Sequence, residues 1–571
     1  MHFRADIDML EKFIPKQDFD SYEDFKANFR LNVPKRFNFA YDVVDGWAEQ
    51  DDAKPALAYL GNDSEEVVEY SFGDMKRLSN RAANMLKSHG IKKGDFVMLI
   101  LRQRVEVWVT LLALEKIGAI AIPATFQLTS HDIVYRANAA NIKMIITVDA
   151  PDIIAQVEAA LPDAPSLKLK AAVGDNVPEG WIDYRKEMQT QSDVWEKPTG
   201  SDYPCMHDPM ILYFSSGTSG MPKMILHDYT HPIGHIITAK YWQRVEEGKR
   251  HMTASDSGWA KFGWGKIYGQ WIVGAVIAAY DSEGHFTAGK MLRAIEKLKL
   301  HSFCAPPTIY RFLIKEDLTK YDFSTIRRCS IAGEPLNPEV YNQWLRMTGL
   351  PLTEGFGQTE GPVLIANFQW FPIKPGSTGK FSPIFDLQIV DENGKPCEDG
   401  VVGSIVIRHA RSNHPVGLFR EYYKNPEAME ASWPDDDYNT GDMAWRDGDG
   451  YIWFEGRNDD VIKCSGYRIG PFEVESVLME HPAVLECAIT SCPDPVRGQV
   501  VKATIVLVKN RGYEPNQALV KELQDFVKRN TAPYKYPRVI SFVDSLPKTT
   551  SGKINRKAIR EMDLKAAAEK R

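Results

Sequence analysis

From residue 51 to about residue 210, short apolar runs alternate with segments whose apolar residues recur every three to four positions. Lys54–Leu60 and Val67–Tyr70 read as strands. Ser71, followed three residues later by Asp74, reads as a capping box; Met75, Leu78, Ala82, Met85 and Leu86 keep helical spacing until Gly90 ends it. Phe96–Leu101 predicts a strand without polar interruption, Val105–Ile117 a helix and Ile120–Pro123 a further strand. The same grammar returns over residues 205 to 370. Crossover helices must bury both apolar faces of such a sheet, so the pattern predicts parallel sheets covered on both sides.

The texture changes between residues 376 and 457. Short strands at Asp386–Val390, Ser404–Ile407 and Tyr451–Phe454 are separated by turn signals such as Glu392-Asn393-Gly394 and Arg446-Asp447-Gly448, which predicts a β-rich subdomain. Beyond Gly456-Arg457-Asn458-Asp459-Asp460 a new unit begins: a helix around Pro471–Glu480, strands at Cys487–Ser491 and Ala503–Lys509, and a helix at Asn516–Asn530. The expected architecture is α/β. A large N-terminal domain (1–457) holds two sheet-and-helix subdomains and the β-rich one, and a small α+β domain (458–571) follows.

Composition narrows the classes. At 571 residues the chain exceeds one ordinary core, and 44% apolar with 25% charged residues is the balance of a folded globular protein. A net charge of −7 gives no global attraction to nucleic acid or to an acidic membrane. No run approaches the 18 apolar residues of a membrane span, and Trp271–Tyr280 fits a buried element. Small molecules are the expected partners, and a homodimer is left open. Seven scattered cysteines suit a reducing compartment. The N-terminus alternates Arg4, Asp6, Asp8, Glu11 and Lys12 without an apolar or Arg/Ser-rich leader composition. Both observations predict a cytoplasmic protein.

The strongest local signal is Tyr213-Phe214-Ser215-Ser216-Gly217-Thr218-Ser219-Gly220-Met221-Pro222-Lys223. An apolar run empties into hydroxyls and glycines closed by a lysine. Glycines let backbone N–H groups approach phosphate oxygens, hydroxyls donate further, and lysine adds a point charge. It is not a Walker loop, since no Gly-Lys-Ser/Thr closes it.

This segment resembles the phosphate loop of the adenylate-forming superfamily, which includes acyl-CoA synthetases, firefly luciferase and peptide-synthetase adenylation domains. Four further motifs match in order: Glu354-Gly355-Phe356-Gly357-Gln358-Thr359-Glu360, Tyr438-Asn439-Thr440-Gly441-Asp442, Gly456-Arg457-Asn458-Asp459-Asp460-Val461-Ile462-Lys463, and Pro547-Lys548-Thr549-Thr550-Ser551-Gly552-Lys553. The resemblance covers about residues 40 to 565 and is closest to the medium-chain acyl-CoA synthetase branch. It implies ATP-dependent ligation of an acid to coenzyme A through an acyl-adenylate, with ATP, Mg2+ and CoA as the small molecules. It implies that Glu360 supplies an oxygen to Mg2+ and Thr359 a hydroxyl to the phosphates. Ser215, Ser216, Gly217, Thr218, Ser219, Gly220 and Lys223 would cradle the phosphates, and Asp442, Arg457 and Arg468 would hold the nucleotide. The backbone at Gly333-Glu334-Pro335 and Glu354–Phe356 would sandwich the adenine and border the acyl pocket, with Gly357 and Gln358 as further nucleotide contacts. Lys553 would neutralise charge where a carboxylate strikes the α-phosphorus; taken alone it would be a solvated surface lysine. Asp459 would be the hinge on which the small domain turns to present Ser465, Gly466 and Tyr467 to CoA. Arg497, Lys528, Tyr536 and Gln127 would be further CoA contacts.

The acid is read from Ser255-Asp256-Ser257-Gly258-Trp259-Ala260-Lys261-Phe262-Gly263-Trp264, which looks like the Asp-x-Gly-Trp motif of acyl-CoA synthetases. Trp259, Lys261, Gly333 and Gly357 are expected to line the pocket. Acetate-specific relatives place tryptophan where Gly357 stands, so a medium-chain, branched or aryl acid is expected here. Lys261 departs from the branch, and an outward-pointing side chain is its more ordinary outcome. His227, His231 and His235 have helical spacing, but Pro232 interrupts the helix, so packing or surface is expected rather than zinc. Cys487 and Cys492 lack the spacing of a redox pair. Two alternatives stand beside the ligase: an adenylating enzyme with another acceptor, such as a carrier-protein thiol, and an inactive nucleotide or CoA sensor.

Overall fold

The computed structural model describes residues 8–215, 221–283, 286–458, 460–464, 467–494, 498–509, 511–549 and 553–568. The first strand pair is antiparallel, Pro55–Leu60 on Val67–Ser71, and the Ser71–Asp74 capping box starts the helix Phe72–Ser88. Gly90, at φ 79°, turns the chain out of it. Pro55–Leu60 then joins a nine-stranded sheet whose centre is parallel, with Val276–Tyr280, Arg250–Thr253, Ser302–Ala305, Arg328–Ala332 and Leu352–Phe356 side by side. The apolar run Trp271–Tyr280 is divided: Gly274 (φ 80°) ends the helix Tyr268–Val273 and the strand Val276–Tyr280 follows.

An eight-stranded sheet is parallel from Pro209–Ser215 through Ile120–Pro123, Phe96–Ile100, Met144–Val148 and Leu169–Val173. Lys223–Asp228 and Glu421–Tyr422 close one edge antiparallel. Between the two sheets lies the largest apolar cluster, built around Trp108, Trp242, Trp271 and Tyr268. The helix Glu106–Ile117 is buried on every side, and Lys116 is tolerated there because its ammonium meets Asp45 at 2.8 Å, Asn80 at 2.7 Å and Ser79 at 2.9 Å.

Leu387–Val390, Gly403–Ile407, Tyr438–Arg446 and Ile452–Arg457 form an antiparallel four-stranded sheet. A five-stranded sheet holds Ile462–Cys464, Tyr467–Ile469, Val484–Asp494, Gly498–Leu507 and Val539–Phe542, with the helices Pro471–Met479 and Gln517–Asn530. Its Asn337–Ser476 contact to the large part is 3.4 Å. All of this is the α/β plan expected from the pattern, with the strands at 484 and 498 longer than predicted. No helix among the described residues is long and apolar enough to cross a membrane.

Candidate active site

Parallel strands leave a crevice beyond their carboxyl ends, and here the two large sheets point such ends at one cavity of about 390 Å3. Ser215 ends one strand; Ala332, Phe356 and the residues after them end two others. Gly333, at φ 104°, makes the turn that a side chain would resist. Of the expected site residues, Ser215, Trp259, Lys261, Gly333, Glu334, Gly355, Phe356, Gly357, Gln358, Thr359 and Lys553 line this cavity. Lys553 arrives from the distant C-terminal part on a hairpin closed by the Lys548–Ile554 bridge and by the Thr549 N–H donating to Lys553 O at 2.7 Å.

Asp442 and Arg457 stand one layer outward, tied to the cavity through Gln358. The Gln358 amide donates to the Asp442 carboxylate and, at 2.7 Å, to Thr440 O, while the Tyr438 hydroxyl donates to Gln358 Oε1 at 3.0 Å. Arg457 Nη1 donates to Asp442 at 3.3 Å. Burial pushes the Asp442 carboxyl up to about 6, against the pull of Arg457 and Gln358. Glu360 accepts from the Tyr422 hydroxyl at 2.9 Å on Oε1, and Lys223 lies over the Tyr422 ring at 4.5 Å. No hydrogen bond among the described residues takes Glu360 Oε2, so a hard oxygen remains for a cation such as Mg2+. Glu354 and Pro335 are not part of the lining. The Glu354 carboxyl accepts from Leu336 N–H at 3.4 Å, and burial raises it to about 8.

Lys261 does not point outward. It sits near the start of the helix Ala260–Lys266, and its ammonium donates to Ala332 O inside the cavity, where a Cβ on Gly333 would meet it at 2.8 Å. Burial, reinforced by the nearby Lys553 charge, lowers it to about 8. The three histidines are buried rather than superficial. His227 lies near the end of the strand Lys223–Asp228, Pro232 is accepted in the first turn of the short helix His231–Gly234, and the His227 and His231 rings meet tilted at 4.0 Å between centroids, the His231 and His235 rings edge-to-face at 4.5 Å. His227 Nε2–H donates to Thr359 O at 2.8 Å, and burial holds His227 and His235 down to about 3, so both are neutral. Among the described residues no group of three or more histidine, cysteine, aspartate and glutamate side chains could hold a metal.

Sequence reasoning missed Trp242, Thr238, Val363, Asp256 and His235 as cavity residues. Asp256 and Trp264 were in view in their motif, whereas Trp242 and Thr238 lie in the segment Ile237–Trp242, which carries no motif. Ser216, Gly217, Thr218, Ser219, Gly220, Asp459, Ser465, Gly466 and Arg497 lie outside the described residues, as do the side chains of Tyr467 and Arg468. Lys528 stacks over Tyr536 at 4.3 Å; among the described residues no hydrogen bond joins either to the exposed Gln127.

Two family models match the chain: AMP-binding enzyme over residues 44–423 and AMP-binding enzyme C-terminal domain over residues 473–553. Mitochondrial acyl-coenzyme A synthetase ACSM3 of Mus musculus is 40% identical over 96% of this chain and 94% of its own. Mitochondrial acyl-coenzyme A synthetase ACSM4 of Homo sapiens is 41% identical over 95% of this chain and 93% of its own. The crystal structure of the anthranilate CoA ligase AuaEII with anthranoyl-AMP superposes with a TM-score of 0.84 at 28% identity, covering 94% of this chain and 99% of that one. The expectation of a cytoplasmic protein is overturned by these mitochondrial relatives. Scattered free cysteines fit any reducing compartment, so they never separated the two locations. With both family models matched in order and synthetases of this kind aligned over nearly all of its length, the chain belongs to the AMP-binding enzymes as an AMP-forming acyl-coenzyme A synthetase, which uses ATP and Mg2+ to join a carboxylic acid to CoA through an acyl-adenylate.

Proposed function

We propose that the cavity binds ATP and a medium-chain, branched or aryl acid together, and that Lys553 brings them to reaction. The observation that carries this reading is the arrival of Lys553 in the cavity that Ser215, Gln358, Thr359 and Gly333 also line. A carboxylate attacking the α-phosphorus is one anion forced on another. At ~4 Å their repulsion is about 1 kcal/mol in water and about 4 kcal/mol at an effective dielectric of 20. The Lys553 ammonium, with Lys223 and the 216–220 segment, offsets it. Thr359 donates to the phosphates and Glu360 holds the Mg2+ of the nucleotide, which supplies further neutralisation. Asp442 accepts from the ribose hydroxyls, flanked by Arg457, with Arg468 a further nucleotide contact. The backbone at Gly333–Glu334 and Gly355–Phe356 borders the adenine, with Pro335 and Glu354 supporting it from outside the lining.

Residues 1–457 and 458–571 act as two units in this reading. The second turns near Asp459 to withdraw Lys553 and bring Ser465–Tyr467, Arg497, Lys528 and Tyr536 to CoA, opposite Gln127. The acid lies against Trp242, Trp264 and Val363 beside Lys261. Each carbon buried there contributes about 0.8 kcal/mol, which favours larger acids over acetate.

Pyrophosphate exchange into ATP, measured with straight, branched and aromatic acids of two to ten carbons, tests the proposal. Exchange is expected with several larger acids and little with acetate; the reading fails if no acid supports it. Gly357→Trp is expected to cut kcat/KM for the larger acids at least about tenfold relative to acetate, since a Cβ at 357 already meets Pro362 O at 3.3 Å and the indole must turn into the cavity. Asp442→Asn is expected to raise KM for ATP about tenfold to a hundredfold, the value of a charged hydrogen bond, with little change in KM for the acid. A rise shared equally by both substrates would count against ribose binding.

A further inference from the structure

Among the described residues, two carboxylates line the cavity, Asp256 and Glu334. Glu334 is engaged by the Thr308 hydroxyl at 2.9 Å and by Arg311 at 3.6 Å. Asp256 has no part in the reading above. Its Oδ1 accepts from the Gly258 N–H at 2.9 Å, and the Thr125 hydroxyl bonds the same carboxylate. The backbone at Gly258 lies so close to Thr125 that a Cβ there would stand 2.1 Å from the Thr125 nitrogen. Gln127 N–H donates back to Thr125 Oγ1 at 3.4 Å. Asp256 therefore stands between the cavity and the turn that carries Gln127.

The second half of the reaction needs a group in that place. CoA arrives as a thiol, the thiolate is the nucleophile, and the proton must go to an acceptor. Lys261 is already spending a proton on Ala332 O, and His235, which among the described residues is the imidazole of the lining, is held neutral to about 3 by burial. We propose that Asp256 is the general base of thioester formation. The S–H bond breaks and its proton passes to the Asp256 carboxylate; the C–S bond forms at the acyl carbon; the bond from that carbon to the AMP phosphate oxygen breaks, and its electron pair leaves with AMP. The inference rests on the reading that CoA enters beside Gln127.

The surroundings suit a base that works near neutrality. Burial pushes the Asp256 carboxyl up to about 6, while the Gly258 N–H, Lys266, Arg102 and the Thr125 hydroxyl draw it back. Among the described residues, Lys261 and Lys553 are further cations lining the cavity. The carboxyl is a base only when ionised, so the step gains rate as pH rises through about 6.

The test separates the half-reactions. Acyl-adenylate is formed on the enzyme from acid and ATP with pyrophosphatase present, CoA is then added, and thioester formation is followed in a single turnover; pyrophosphate exchange is measured in parallel. Asp256→Asn is expected to slow the thioester step about a hundredfold to ten-thousandfold, far more than exchange, and to abolish its acid limb. Unequal loss with the limb removed supports the base. Equal loss in both halves, or an undiminished thioester step, overturns it. If that variant does not fold, Asp256→Glu keeps the charge and is expected to retain the limb at reduced rate; a thioester rate flat from about pH 5 to 8 in the glutamate variant would overturn the proposal as well. Absence of exchange with every acid in the native enzyme would instead refute the underlying assignment of the cavity.

Discussion

Lys553→Ala is expected to slow acyl-adenylate formation by about three orders of magnitude while the enzyme still converts a supplied acyl-adenylate and CoA to thioester at close to the native rate. The size follows from what one preorganised charge is worth at a reacting phosphoryl or oxyanion centre, about a hundredfold to a hundred-thousandfold. The asymmetry follows from chemistry: only the first half-reaction drives a carboxylate onto a phosphate. The lysine is held by a hairpin rather than by a packed core, and it is itself exposed, so its truncation costs little stability. Pyrophosphate exchange measures the first half and single-turnover thioester formation the second. A variant that exchanges pyrophosphate at the native rate would remove Lys553 from the mechanism.

Trp242→Ala is expected to cost about 3 to 5 kcal/mol of stability and to shift acid preference toward bulkier acids. The indole is 2% exposed, donates to Thr353 O at 3.3 Å and packs against Trp264 at 5.7 Å between centroids. It also lines the cavity, so the space left by truncation opens into the site instead of forming a sealed void. That places the cost at the lower end of the range. Calorimetric or denaturant unfolding reads the first effect, and kcat/KM across a series of branched and aryl acids reads the second. Unchanged acid preference with the stability loss present would make Trp242 a packing residue alone.

Much of this was legible in the residues themselves. The capping box at Ser71 and the runs at Phe96 and Ile120 depend on neighbours a few positions away, and they lie where the periodicity put them. The Gln358-Thr359 segment and Lys553 were marked by motifs that loops at strand ends carry whole. What escaped depends on contacts of long sequence separation. Trp242 meets Gly355, Asp256 meets Thr125, and the packed histidine rings join a strand to a short helix that holds Pro232 in its first turn instead of being broken by it. Lys261 was expected in the pocket, but its inward orientation was not legible, because an isolated lysine is ordinarily solvated; here the Ala332 carbonyl compensates its burial. The cytoplasmic expectation failed for a different reason, since reducing conditions are shared by more than one compartment.

The contact between Trp242 and Gly355 sets how this enzyme family member could change its diet. A Cβ on residue 355 would lie 2.3 Å from the indole, so no single substitution at 355 is admissible while the tryptophan remains. Diversification must begin at 242, with a smaller residue there, before 355 is free to vary. A library that randomises 355 alone should return almost only the parent glycine, and one that randomises both should return new acid preferences in which small residues at 242 accompany larger ones at 355.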